Sequence, residues 1–430
     1  MWHPSRMIQN HRLFRKAWAR AIGATLILAA AASCVAQATM DEHASGISTP
    51  PLILVSSKRV QQAREKLAQG DPAFTTPLAQ LVALADASLE EPIQTVVDKT
   101  SAPPSGDMHD YVSMAPYWWP NPDTEDGLPY IRRDGEVNPE RVGYDVTAMS
   151  AMNQSVRRLA FAYFFTGDER YAQRAAEWLR AWFVNPATRM NPNLQYGQFI
   201  PGVNNGRSIG IIETTRLRWV PDAVAVLGSS SAWSDSDTEA VREWFSDYLD
   251  WLLTSEHGLE EAAEENNHGT WYAQQVVLYA LFVGNEEAAR DTLDTIPARI
   301  AAQVEPDGSQ PHELARTKPF SYSEYNLRAL VDLAFLADRL DVDLWNYQTE
   351  DGRGIRAALD YLAPYATDPS SWPAETYPYI GDLLKADMTA QTFRRASVGY
   401  DDPDYEEVAR SIAGGDLELD WINLLEPPLK

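Results

Sequence analysis

An all-α fold, an α/α toroid (an incomplete α/α barrel) of repeated helical hairpins, is what this sequence predicts. Three observations predict it. Helical periodicity dominates from about residue 52 onward, a layout of apolar helix, short turn and amphipathic helix recurs along the chain, and little alternates as a strand would. With 430 residues and 45% hydrophobic content the chain buries a large core. Stacked αα-hairpins bury it by closing into a ring, with any site at one end of the inner helices.

The first 38 residues stand apart from that pattern. Arg6, Arg12, Arg15, Lys16 and Arg20 precede an apolar run from Ala21 to Ala32, and Ala36-Gln37-Ala38 follows. A basic start, a short apolar stretch and a small-residue cleavage site make a secretory signal peptide. The run is too short to span a bilayer comfortably. Small residues before Cys34 permit lipid attachment there, but the leucine usual three places earlier is missing. The expectation is therefore a periplasmic or secreted protein, residues 1–38 a signal peptide and 39–430 a single toroid domain. Cys34 is the single cysteine. The mature chain is thus expected to hold no disulfide, and it has no cysteine nucleophile, thiolate metal site or iron–sulfur cluster.

Removal of the leader takes five positive charges and no negative one, moving the formal charge from −25 to −30. Such a surface repels nucleic acid and anionic lipid. An anionic ligand would need a local positive pocket.

Along the mature chain, "SKRVQQAREKLAQGD" reads as an amphipathic helix ending at Gly70, and "TPLAQLVALADASLEE" as a second. Residues 101–143 crowd Pro, Gly, Asp and aromatics without a period and read as a long, functional loop. "AMSAMNQSVRRLAFAYFFTGDERYAQRAAEWLRAWFV" is the first hairpin, turning at Thr-Gly-Asp. "TWYAQQVVLYALFVGNEEAARDTLDTIPARI" is the next, turning at Gly-Asn. "YNLRALVDLAFLADRLDVDLW" with "GRGIRAALDYLAPYA" is a third. The first helix of each is apolar nearly all round and belongs inside; the second has a polar face and belongs outside.

Four stretches carry candidate chemistry. "HDYVSMAPYWWPNP" sets Tyr111, Tyr117, Trp118 and Trp119 in a proline-rich loop. They either pin the loop to the core or form a stacking wall for sugar rings. "YGQFIPGVNNGRSIGIIETTRL" places Asn205 and Arg207 before an apolar helix, as a capping loop or as donors for a carboxylate. "EENNHGTWYAQQ" places Asn266, Asn267 and His268 at the mouth of an inner helix, with Trp271 just inside. A lone histidine is more often structural, but the adjacent amides weigh toward a working one. "HELARTKPFSYSEYNL" brings His312, Arg316, Tyr322 and Tyr325 to the start of the next inner helix.

Amide, guanidinium, imidazole and phenol neutralise a carboxylate and move a proton. They do not supply the carboxylic acid pair of a glycoside hydrolase. They suit β-elimination on a uronic acid, where removal of the C5 proton builds charge on the adjacent carboxylate. A guanidinium beside a tyrosine favours its phenolate, which would take that proton and return one to the leaving O4. No metal and no cofactor is called for.

"HDYVSMAPYWWPNPDTEDGLPYIRRDGEVNPE", "NNHGTWY" and "ELARTKPFSYSEYNL" together resemble the alginate-lyase superfamily of polysaccharide lyases, over roughly residues 52 to 400. The resemblance implies an α/α toroid and an anionic polysaccharide as substrate. By match, Asn267, His268, Tyr322 and Arg316 take the catalytic roles. Gly269-Thr270 and the "GVNNGRSIGIIET" segment resemble a divergent branch that includes glucuronan lyases. The expected activity is cleavage of a 1,4-linked polyuronate, alginate first and glucuronan next. From other classes, a hydrolase using Glu264, Glu265, Asp107 and Asp110, or a non-catalytic uronate-binding protein, stays open.

Overall fold

A computed structural model describes residues 49–377, 386–414 and 419–428. The segment expected to be a signal peptide, residues 1–38, and with it Cys34, lies outside the described residues. The chain begins with two helices, α1 (Ser57–Ala68) and α2 (Pro72–Leu89). Ser56 caps α1 by accepting the Arg59 N–H, and the chain turns out of it through Gly70 at φ +71°. Glycine adopts that left-handed conformation without steric cost. Asp71 caps α2 and Pro72 opens it, so this helix starts a turn earlier than its apolar period suggests.

The hairpins follow as expected. Inner α3 (Val146–Thr166) turns at Gly167 into outer α4 (Glu169–Leu179). A twelve-residue 3-10 segment, Ser208–Trp219, runs into α5 (Val220–Leu227), and α6 (Asp235–Thr254) follows, with its Tyr248 hydroxyl 2.7 Å from Thr214 of the segment. The short α7 (Glu256–Ala263) leads to inner α8 (Asn267–Val283), which turns at Gly284 into outer α9 (Glu286–Leu293) and α10 (Ile296–Gln303). One turn, α11 (Pro311–Leu314), precedes inner α12 (Pro319–Ala337), with α13 (Ile355–Thr367) outside it. The last pair is α14 (Ala386–Tyr400) and α15 (Pro403–Ala413).

Neighbouring inner elements pack in the order α2, α3, the 3-10 segment with α5, α8, α12 and α14. The segment Trp421–Leu424 bridges α14 back to α2. There the Trp421 N–H donates to Gln80 Oε1 at 2.7 Å and Gln391 donates to Asp420 at 2.9 Å. Among the described residues no helix is long and apolar enough to cross a membrane.

The loop expected over residues 101–143 holds three short strands. Strand β1 (Val112–Met114) pairs in parallel with β4 (Tyr196–Phe199), and β2 (Trp118–Trp119) pairs antiparallel with β3 (Ile131–Arg132). These small ladders lay the aromatic loop across the rim formed by the N-terminal ends of the inner elements.

The N-terminal segment is held by one buried carboxylate. Asp222 on α5, fully buried, accepts the N–H groups of Ile53 at 2.6 Å, Leu54 at 3.2 Å and Val55 at 3.2 Å. Asp222→Ala strands three donors at once. The expected loss is about 3 kcal/mol, since each orphaned buried group costs on the order of 1 kcal/mol or more. Calorimetry would read it as a lowered unfolding temperature, and an unchanged temperature would mean that the segment finds other acceptors.

Candidate active site

The starts of α8 and α12 bring four of the predicted residues to one rim. Tyr322 lies in the first turn of α12. Its hydroxyl accepts from Arg316 Nη2 at 2.8 Å and donates to Tyr117 Oη at 2.9 Å. The Arg316 guanidinium also lies 3.8 Å from the Tyr322 ring centroid. Asp134, in the loop after β3, fixes that guanidinium at 2.8 and 3.3 Å, and itself accepts from Arg132 and Thr317. Burial alone would raise the Asp134 carboxyl. The bonds and charge of Arg316, aided by Thr317 and Arg132, overcome that and hold it well below the usual carboxylate range.

Asn267 and His268 are each held by a buried glutamate. Asn266 caps α8 by accepting the His268 N–H at 2.8 Å. Glu313 accepts the Asn267 backbone N–H at 2.6 Å and its amide at 2.8 Å. One amide N–H of Asn267 thus remains for a ligand, although the residue is only 1% exposed. His268 Nδ1 faces Glu261 Oε1 at 2.8 Å, and its partly exposed ring keeps Nε2 for other work. Burial raises the carboxyls of both Glu261 and Glu313. Glu313 lies within electrostatic reach of both Arg316 and His268, which ties the two halves of the site together.

Arg207 lies on the same side, within electrostatic reach of Glu261. It donates to the Gln198 carbonyl at 3.1 Å and to its side chain at 2.9 Å. Burial, with repulsion from Arg132, lowers its guanidinium to about 10. Gln198 holds φ +49°, strained backbone for a non-glycine residue. Asn205 is exposed on the adjoining turn.

Several expectations are corrected. Tyr111 is fully buried with its hydroxyl on Glu213 at 2.8 Å, so it pins the loop and offers no face to a sugar. Trp271 is fully buried too, its indole N–H on the Tyr325 carbonyl at 3.1 Å. The available aromatic wall is Tyr117, Trp118 and Trp119, all partly exposed. His312 is exposed and lines a separate open hollow of about 470 Å³ with Glu260, Glu264, Glu265 and Asn266. Tyr325 sits one turn below Tyr322 against Trp271, its phenol raised by burial.

The expected effect of Arg316 on Tyr322 is also reversed in its net result. Burial pushes the Tyr322 phenol far up, and Tyr117 adds to it; the guanidinium pulls the other way and loses. The resting form is a protonated phenol. Three of the four carboxylates considered for a hydrolase are engaged elsewhere, Asp107 and Asp110 accepting from Asn191 and Glu264 from Asn266, while Glu265 is exposed.

Sequence reasoning missed Glu261, Glu313, Asp134 and Gln198. Gly269 it noticed without a reason. A Cβ at Gly269 would collide with the Glu264 carbonyl and with Arg299, which itself donates to that carbonyl at 2.7 Å. The glycine lets the α8 start pack against the strap that presents Asn266.

A helical ring whose rim gathers a phenol, a guanidinium and a carboxylate-held imidazole can bind an anion and move protons, and the protein is a polysaccharide lyase. The family profile described as alginate lyase matches residues 95–372, which contain every side chain of this rim. The chain belongs to the alginate lyase family. It is 37% identical to an alginate lyase from Bacteroides ovatus of known crystal structure, over 88% of this chain and 99% of that one, with a TM-score of 0.84. A weaker likeness, at 19% identity and a TM-score of 0.46, is to alginate lyase A1-III from Sphingomonas species A1, over 81% of this chain and 96% of the other. No curated protein matches the chain.

Proposed function

We propose that this enzyme cleaves a 1,4-linked polyuronate, alginate first, by β-elimination outside the cytoplasm, as a single toroid domain. The observation that carries the mechanism is the Tyr322 phenol, bonded to Arg316 and kept protonated by burial. A group in that state is a proton donor. In this reading Arg316 and the remaining Asn267 N–H hold the uronate carboxylate, where charge grows as the C5 proton leaves. His268 Nε2 takes that proton, with Glu261 orienting the ring. The C5–H electron pair becomes the C4–C5 double bond, the C4–O4 bond breaks, and O4 takes the Tyr322 proton. The wall of Tyr117, Trp118 and Trp119 holds the sugars. Family membership and the Bacteroides relative support alginate, and the basic, apolar leader supports export.

A second reading makes Tyr322 both base and acid, favoured by the Arg316 N–H placed at its oxygen. The pH profile separates the two. A tyrosine base with a raised pKa gives kcat/KM that climbs about tenfold per pH unit from about pH 8 to about pH 10. A phenol donor gives a flat profile there, which is the expected result. Incubation with alginate, polymannuronate and glucuronan should yield near-ultraviolet absorbance from the conjugated double bond, strongest on alginate. Glucuronan as the preferred substrate would move the assignment to that branch, and new reducing ends without absorbance would overturn elimination.

A further inference from the structure

The ring holds a second cationic layer below the rim, which the chemistry at Tyr322 leaves unused. Tyr322, Tyr325, Arg328 and Asp332 follow one another at three- and four-residue steps down one face of α12. Arg328 lies six positions beyond Tyr322, about 9 Å along a helix axis. Arg328 is 8% exposed. Among the described residues nothing accepts a hydrogen bond from it, and its Nε is buried without a partner. Its guanidinium lies over two ring faces, Tyr325 at 5.1 Å and Trp271 at 5.7 Å.

Other guanidinia crowd the same place. Arg218, from the 3-10 segment, lies 5.5 Å from the Trp271 ring and reaches Asp332 at 3.4 Å. Asp332 is also shared with Arg395 at 3.3 Å, and the buried Glu324, which acts on Arg218 too, already accepts from Thr392 at 3.0 Å. Arg216 has neutral acceptors, Ser150 Oγ at 2.9 Å and the Glu213 carbonyl at 3.1 Å. Arg216, Arg218 and Arg328 all lie near enough to Tyr325 to act on its phenol. Tyr325, Arg216 and Arg218 are each partly exposed, so solvent reaches part of the layer.

A buried guanidinium without an acceptor is costly, and two aromatic faces return only part of that cost. In a chain of net charge −25 such a group is not short of acids to pair with. The unfilled donors point to an anion supplied from outside. We propose that Arg328, with Arg218 and Arg216 beside it, is a subsite for the carboxylate of a second uronate of the same substrate chain, while a first lies at Tyr322. A guanidinium fork matches a carboxylate with two parallel bonds. The separation along α12 exceeds one sugar ring, so a tri- or tetrauronide reaches both places and a diuronide does not. This rests on the polyuronate reading above.

The test is calorimetric titration of tetrauronide and diuronide, in the Tyr322→Phe background so that neither is consumed. Arg328→Met should weaken tetrauronide binding by about tenfold or more, a typical loss for a charge-assisted pair, and leave diuronide binding unchanged. Its unfolding temperature should equal or exceed that of the Tyr322→Phe parent, because an unpaired buried cation has gone. A lower unfolding temperature with unchanged tetrauronide affinity would make Arg328 structural and end the proposal. If Arg328→Met does not fold, Arg328→Lys keeps the charge and loses the fork; tetrauronide affinity should still fall, and an unchanged affinity overturns the subsite. The two readings fail separately. Enzyme that cleaves polyuronate while Arg328 substitutions leave tetrauronide binding intact loses only the subsite. Enzyme that cleaves none, yet binds tetrauronide through Arg328, loses only the proposed reaction.

Discussion

Tyr322→Phe is expected to bind an oligouronate about as tightly as the parent and to turn it over about 10²- to 10⁴-fold more slowly, the usual cost of losing a positioned proton donor. The substitution removes one oxygen and keeps the ring, so the stacking of Arg316 at 3.8 Å survives. Arg316 also keeps both contacts to Asp134 and so the orientation the proposed mechanism needs. What disappears is the proton for the leaving O4, together with the bond to Tyr117. Stopped assays with ultraviolet detection would give turnover, and calorimetry would give affinity. A phenylalanine variant with near-parental turnover would remove Tyr322 from the reaction. Tyr325 would be the next phenol to test, although it lies beside the cationic layer and one turn below the rim.

His268→Ala should lose elimination by a similar factor, about 10²- to 10⁴-fold, because no base then faces C5. A second effect accompanies it. Glu261 is fully buried, its Oε2 already lacks a partner, and the substitution takes away the partner of Oε1. Some loss of stability, about 1–3 kcal/mol, is expected from that orphaned carboxylate. His268→Gln separates the two effects, since an amide N–H can still serve Glu261 while no imidazole remains. Both variants should be inactive, with the Gln form closer to the parent in unfolding temperature. An active His268→Gln would mean that the ring only fastens Glu261, and the reaction would then run through Tyr322 alone.

The inner helices were legible in the sequence because each is apolar on every side for four or five turns, and Gly167 and Gly284 mark where they stop. The short strands were not. Two to four residues give no alternation to read, and β1 meets β4 across more than eighty positions. The 3-10 segment was hidden because Arg216 and Arg218 interrupt an apolar pattern that only the ring interior accommodates. At the site, Asn267, His268, Arg316 and Tyr322 could be picked by residue type and position. Their glutamates could not. In "GLEEAAEENN" four acids look alike, and only the packing of α7 against α8 buries Glu261 while Glu260 and Glu265 stay exposed. Tyr111 and Trp271 misled for the same reason: an aromatic reads identically whether it faces solvent or core.

Asp134 and Arg316 are 182 positions apart in the chain, yet the orientation of the guanidinium depends on their contact. Tyr117 and Tyr322 meet across 205. In the proposed mechanism neither half of the centre is complete without the other, so turnover would depend on the seated loop of residues 117–134 and not on the helical ring alone. A cut or a transient lifting within residues 117–134 would abolish turnover while most of the helical content stayed in place. Activity should therefore be lost earlier than helicity as conditions become harsher.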